Sequence, residues 1–532
     1  MKLIDFHTHP VLKPCSSSLD LAALENLWKE FPEPETCKEL NFIIRDAIKS
    51  TDKLSQCDLS KISRGKVNGM FFAMGPAERP FFNPHVTNFA MRLVLPKKDY
   101  KKLARSVTGF CMPKIEKIFK RIEEKIGVDY FNEELIPEFN YITSQEKNIE
   151  IPNKFKIVTD YSQFKNIIDN DPSTIAVVLT IEGAHSLGNF SDADFTVDFD
   201  EVNKNSEKYR SVFLNNIRTM KQSWGDKTPF FITLCHHFWN LLSGHCKSMS
   251  PSGPIIPGMD AIIDQIPNIN KGMTEVGKDV VKALLNSDGN TRRILIDVKH
   301  MSIESRKWYY NFVRQRRAAG DFIPIICSHT SVNLYDTMDD ASTSEDNFYK
   351  DKFAFLSRFS INLSNDEISE IADSKGIIGI ILNEGRMPGR LGRKAIKDCG
   401  KGMSKKKAEI YLKLIMCNVL QIVKVINKKE AWDLVCIGSD FDGVIDPFEC
   451  YRDAETLKQL PDDIAQYLAN PTFDLDWIGV TALDIKNKYM FGYTAQEIAE
   501  KIAYSNVLLF MERYFNSQYL KKAAQVEEPV FA

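Results

Sequence analysis

The feature that most constrains this chain is a repeated arrangement in which a short apolar run ends in residues able to hold a metal or move a proton. Leu3-Ile4-Asp5-Phe6 leads into His7-Thr8-His9-Pro10, and residues 175–181 lead into Glu182-Gly183-Ala184-His185. Residues 230–235 end in His236-His237, residues 293–298 in Lys299-His300, and residues 323–327 in Ser328-His329. Residues 376–381 run up to Asn383-Glu384, and residues 434–438 to Ser439-Asp440-Phe441-Asp442-Gly443. With the apolar stretch 65–74 these make eight candidate strands.

Continuous apolar runs of this length suit parallel strands buried on both faces. Helical patterns lie between several of them. Val276, Val280, Val281 and Leu284 mark an apolar stripe over Glu275–Leu285, and a second pattern covers Lys405–Ile426. Strands and helices alternating in this number predict an α/β fold, a (β/α)8 TIM barrel. All strand carboxyl ends then face one mouth, so polar residues scattered from His7 to Asp440 converge there.

Strand alternation puts His7 and His9 on one face, and Pro10 cannot continue the sheet ladder. One His-x-His pair alone fits two packed core histidines equally well. The chain has nine histidines, however, and His7, His9, His185, His236, His237, His300 and His329 all fall at or just after a strand's end. For each alone the alternative is a polar residue closing a strand, and that reading is kept for Lys299 and His237. Taken together, His7, His9, Glu182, His300 and His329 point to a metal centre, because imidazoles with a carboxylate suit divalent ions such as zinc. His85, among Phe81, Phe82, Asn83 and Pro84, reads as a surface or packing residue.

A chain of 532 residues, 43% hydrophobic, can bury a large core, and one big domain carrying insertions is expected. Residues 76–170, polar and lysine-rich with a helix over 114–125, form the candidate insertion or lid. Lysine plus arginine number 69 against 71 for aspartate plus glutamate, which leaves no basic field for nucleic acid and favours a small-molecule partner. Eleven scattered cysteines without a Cys-x-x-Cys pair suit reduced thiols. No apolar run is long enough to span a bilayer, so a cytoplasmic protein without membrane partners is expected, with homodimer assembly left open.

In order along the chain, Thr180-Ile181-Glu182-Gly183-Ala184-His185-Ser186, Leu234-Cys235-His236, Ile296-Asp297-Val298-Lys299-His300-Met301-Ser302, Cys327-Ser328-His329-Thr330-Ser331 and Gly438-Ser439-Asp440-Phe441-Asp442-Gly443 resemble the motifs of the membrane dipeptidase (renal dipeptidase) family, peptidase family M19 of the amidohydrolase superfamily. Gly272-Met273-Thr274-Glu275-Val276-Gly277-Lys278 is similar to that family as well. The resemblance implies a binuclear zinc dipeptidase, with two Zn2+ per chain, in which a metal-bridging hydroxide attacks the peptide bond. His7 and His9 would hold one ion, His300 and His329 the other, and Glu182 would bridge them. His236 would polarise the scissile carbonyl, and Asp440 would handle the proton passed to the leaving amine. Asp442 would support the site or serve the turn with Gly443.

Two positions depart from the family. His9 stands where the family usually has aspartate, which makes the first site more positive. Ile361 stands at the place aligned with the family's carboxylate-gripping arginine, and Arg358 is the nearby candidate to bind substrate instead. Another small amide, lactone or ester is the alternative substrate, and a metal-bearing binding protein without turnover the alternative function.

Overall fold

The computed structural model describes residues 1–41, 44–45, 54–83, 99–147, 153–249, 263–342 and 353–523. Eight parallel strands close into a ring: β1 (Ile4–Thr8), β2 (Gly69–Met74), β3 (Thr174–Glu182), β4 (Phe231–Thr233), β5 (Leu295–Asp297), β6 (Ile326–Thr330), β7 (Ile377–Ile380) and β8 (Val435–Ile437). Each strand pairs with the next, and Asp5 opposite Ile437 joins β1 to β8. Helices cross over between the strands, among them Glu275–Leu285, Ile303–Ala318 and Lys405–Ile426, so the chain is a (β/α)8 barrel.

The strands are nearly all buried, which is why they read as apolar runs rather than alternating ones. Phe6 and Phe231 lie 5.3 Å apart between ring centroids. Their strands are separated by two others in the ring, so this contact crosses the barrel's interior. Phe510, from the helix Asn506–Tyr514, packs edge-on against Phe6 at 6.0 Å. Cys235, Cys327 and Cys436 are buried as small core residues, and none of the eleven cysteines is in a disulfide.

Three details differ from the sequence expectation. The second strand begins at Gly69 rather than Gly65, because the helix Leu59–Arg64 runs up to Gly65 and Lys66 turns the chain with φ 55°. The helix expected over 114–125 spans Met112–Glu123, started earlier by a proline in its first turn. Within 76–170 a further strand, Lys154–Ile157, pairs in parallel with the first half of β3, where β4 is too short to reach.

The 76–170 segment otherwise holds the helices α1 (Tyr100–Thr108) and α2 (Met112–Glu123), followed by Ile136–Gln145 and Tyr161–Asn170. His85 lies outside the described residues. No helix among the described residues is long and apolar enough to cross a membrane.

Candidate active site

Phe6 and His7 are consecutive, yet both reach across the ring, Phe6 to Phe231 and His7 to Glu182 and His329. Plain alternation would send them to opposite faces. The pairing of β1 with β2 shifts register between Asp5 and Thr8, and such an irregularity re-aims side chains at a strand's end. His9 follows one residue beyond the strand, on the same side as His7, with their Nε2 atoms 3.2 Å apart.

Glu182, the last residue of β3, is the centre of the cluster. Its Oε1 lies 3.5 Å from His7 Nε2 and 3.4 Å from both His300 Nε2 and His329 Nε2. Its Oε2 lies 3.0 Å from His9 Nε2 and 3.4 Å from His236 Nε2. Asp440 Oδ1 is 3.4 Å from His9 Nε2. His300 and Asp440 each sit a few residues past their strands with φ of 67° and 64°. Residues with side chains rarely adopt this left-handed backbone, and where they do at a site it aims the side chain.

These residues fit divalent metal. His300 Nε2 and His329 Nε2 are 3.4 Å apart, and Glu182 Oε1 is sealed from solvent without a hydrogen-bond partner. Two nitrogens bound to one tetrahedral ion at about 2.0–2.1 Å stand roughly 3.3–3.4 Å apart, close to the 3.4 Å of His300 with His329 and the 3.2 Å of His7 with His9. Charge points the same way. Burial alone would raise the Glu182 carboxyl, but His236, His7 and His9 hold it well below its usual range. Burial alone would lower His9, yet Glu182 and Asp440 push it up to about 10. The carboxylates thus draw protons where cations are wanted.

Behind the ligand atoms, buried groups set which ring nitrogen is free. Ser328 Oγ donates to Asp297 Oδ2 at 2.6 Å and accepts from His329 Nδ1 at 2.8 Å, so the lone pair of His329 is on Nε2, facing Glu182. Asp297 also accepts from Thr233 Oγ1 at 2.7 Å and from the amides of Lys299 and Ser328. On the other side Glu78 Oε2 accepts from His236 Nδ1 at 2.9 Å. Glu78 further accepts from the amides of His237 and Phe238. Against burial, Glu182 and Glu78 raise His236, so its ring can carry both protons and present Nε2–H to the cavity.

Glu78 had no signal in the sequence beyond its place four residues after β2. Lys299 and His237, read as polar strand ends, are both on the cavity wall with His300 and Asp440. Burial first, with Arg386 adding to it, lowers the affinity of both for protons. His185 sits one layer back, with Nε2 2.8 Å from the Pro76 carbonyl. Asp442 turns away to Lys13 Nζ at 2.6 Å and to the amides of Gln56 and Cys57. Arg358 lies outside the cluster, its guanidinium 4.9 Å from the centre of the Tyr335 ring. Ile361 lines the cavity.

No family model matches the chain, and no curated protein matches it. Among solved structures it is similar to the dipeptidase AC, a metallopeptidase of family M19, at 13% identity over 97% of this chain and 99% of that one, with a TM-score of 0.46. It is also similar to a metallopeptidase from Rhodobacter sphaeroides liganded with a phosphinate mimic of the dipeptide L-Ala-D-Ala, at 13% identity over 96% and 99% of the two chains and a TM-score of 0.48. The probable dipeptidase PvdM from Pseudomonas aeruginosa aligns at 16% identity over 88% and 90%, with a TM-score of 0.45.

Proposed function

We propose that the protein is a binuclear metal-dependent hydrolase that cleaves dipeptides. The observation that carries this reading is the single buried carboxylate of Glu182, with two imidazole pairs, His7 with His9 and His300 with His329, all within 3.5 Å of it. That set offers more ligands than one tetrahedral ion takes, so two ions, zinc by donor chemistry, are assigned to it. When bound, such a pair activates water and stabilises negative charge on a carbonyl oxygen.

The chain's own groups complete the chemistry. His236, held by Glu78, directs Nε2–H into the cavity, where it donates to the carbonyl oxygen of the scissile bond as charge develops there. Asp440, at the mouth beside His9, accepts the proton of the attacking water and returns it to the leaving amine, the role of a positioned general base and acid. The apolar floor of the barrel, including Phe6 and Phe231, keeps bulk water from the other side.

A second reading keeps these groups and changes the substrate to another small amide, ester or lactone. Ile361 on the cavity wall, at the position aligned with the family's carboxylate-gripping arginine, favours it.

A hydrolysis screen separates the two. Purified protein loaded with zinc should release amino acids from free dipeptides, lose the activity in chelator and regain it with metal, and hold about two ions per chain by elemental analysis. Turnover confined to N-blocked amides or lactones would favour the second reading. A stoichiometry fixed near one after supplementation would sink the binuclear assignment.

A further inference from the structure

The cavity over the Glu182 cluster has two unlike lobes. One touches His9, Glu182 and His236 and is walled by Leu12, Pro76, Val107 and Phe110. The other touches His300, His329 and Asp440 and carries two cationic residues, Lys299 and Arg386. Phe81, His237, Gly443 and Val444 border both lobes, so the lobes meet over the candidate ligands. A scissile bond held there has an apolar environment on one side and a positive one on the other.

Arg386 belongs to the loop after β7, and that loop is rigidly tied. Asn383 Oδ1 accepts from the Gly385 amide at 2.7 Å, and the Asn383 carbonyl accepts from the Met387 amide at 2.9 Å. Arg393 donates through Nη2 to the Gly385 carbonyl at 3.0 Å and through Nε to the Pro388 carbonyl at 3.2 Å, clamping the backbone on both sides of Arg386. Lys299 is held by its amide on Asp297 at 3.1 Å. A guanidinium on such a loop can bind a carboxylate through two parallel N–H donors, and a neighbouring ammonium adds a point charge. Arg358, by contrast, lies over Tyr335 and is not among the residues that form this lobe.

Resting on the dipeptidase reading, we infer that Arg386 with Lys299 binds the free carboxylate of the substrate's leaving residue, while the apolar lobe receives the side chain on the acyl side. Val107 of α1 and Phe110, which follows it, form part of that apolar wall, so the 76–170 segment takes part in choosing the acyl side chain.

The test uses a reduced-amide analogue of Leu-Ala, which cannot be hydrolysed, with its carboxyl either free or amidated. Binding to the full-length, metal-loaded protein is measured by calorimetry beside hydrolysis of Leu-Ala itself. The wild type should prefer the free acid. Arg386→Met should weaken the acid on the order of 30- to 1000-fold, the usual effect of truncating one partner of a buried charge pair, and leave the amide nearly unchanged. Arg386→Lys should recover only part of the preference, and metal content should stay constant throughout.

Equal effects on acid and amide, no preference in the wild type, or a loss seen with Arg358→Met instead would overturn the assignment. Hydrolysis of Leu-Ala without dependence on Arg386 would overturn it and leave the peptidase reading standing. An Arg386-dependent acid preference without hydrolysis would uphold the anion site and sink the peptidase reading.

Discussion

His329 Nδ1–H donates a hydrogen bond to Ser328 Oγ, 2.8 Å away, and that one bond leaves its Nε2 lone pair facing Glu182. The serine can accept only because its own proton goes to Asp297 Oδ2 at 2.6 Å. Ser328→Ala should therefore loosen the ion held with His300 while leaving the one at His7 and His9 in place. The expected loss is about 10- to 100-fold in affinity for one ion of two, as for other groups that orient a metal-binding histidine. Competition against a graded chelator reads it, and two ions lost together would show that the sites are not separately supported.

Asp440 stands at the mouth with its carboxylate 3.4 Å from His9. Asp440→Asn keeps the shape and removes the proton acceptor, so kcat should fall about 100- to 10,000-fold with metal content and fold unchanged. If the ions leave as well, Asp440 is a ligand rather than a base.

Glu78 touches no candidate ligand other than through His236, and it fixes that ring by a 2.9 Å bond. Glu78→Gln should lower kcat about 10- to 100-fold and spare both ions. Because the Glu78 charge helps to raise His236, its loss should also move the alkaline limb of the kcat profile to lower pH. An unmoved profile would restrict Glu78 to packing.

Glu138, in the helix Ile136–Gln145, is buried and accepts from the Gly75 amide at 3.2 Å. Burial pushes its carboxyl up to about 7, against the pull of Lys114 and His9. An unfolded glutamate titrates near 4.3, so the native state favours the protonated form. The contribution to stability is full below about pH 4.3 and is lost as pH rises toward 7. Glu138→Gln should match the wild type in unfolding free energy near pH 4.5 and exceed it above pH 7, by at most about 4 kcal/mol. A constant difference across that range would mean that Glu138 stays ionised in the fold.

The eight strands and their polar ends were legible in the sequence because burial on both faces writes itself as a local apolar run, and a barrel exposes the residues that end each run. The same local signal singles out His7, His9, Glu182, His300 and His329 as candidates, and the family resemblance adds His236 and Asp440; the structure brings all seven into one cluster. Three features were not legible in the sequence. The shift in register at Asp5–Thr8 sends both Phe6 and His7 across the ring, where period-two reasoning separates them. Glu78 looks like any loop glutamate until the loops after β2 and β4 meet. Arg386 carries no signal in the sequence, where Arg358 is the candidate; the fold puts Arg386 on the cavity wall and Arg358 over the Tyr335 ring.

Local hydrophobic pattern thus determined which segments are strands and which residues stand at their ends. Tertiary structure decided which nitrogen faces which oxygen. Those distances depend on ring closure and on the register of every strand pair at once, quantities summed over the whole barrel that no single segment carries.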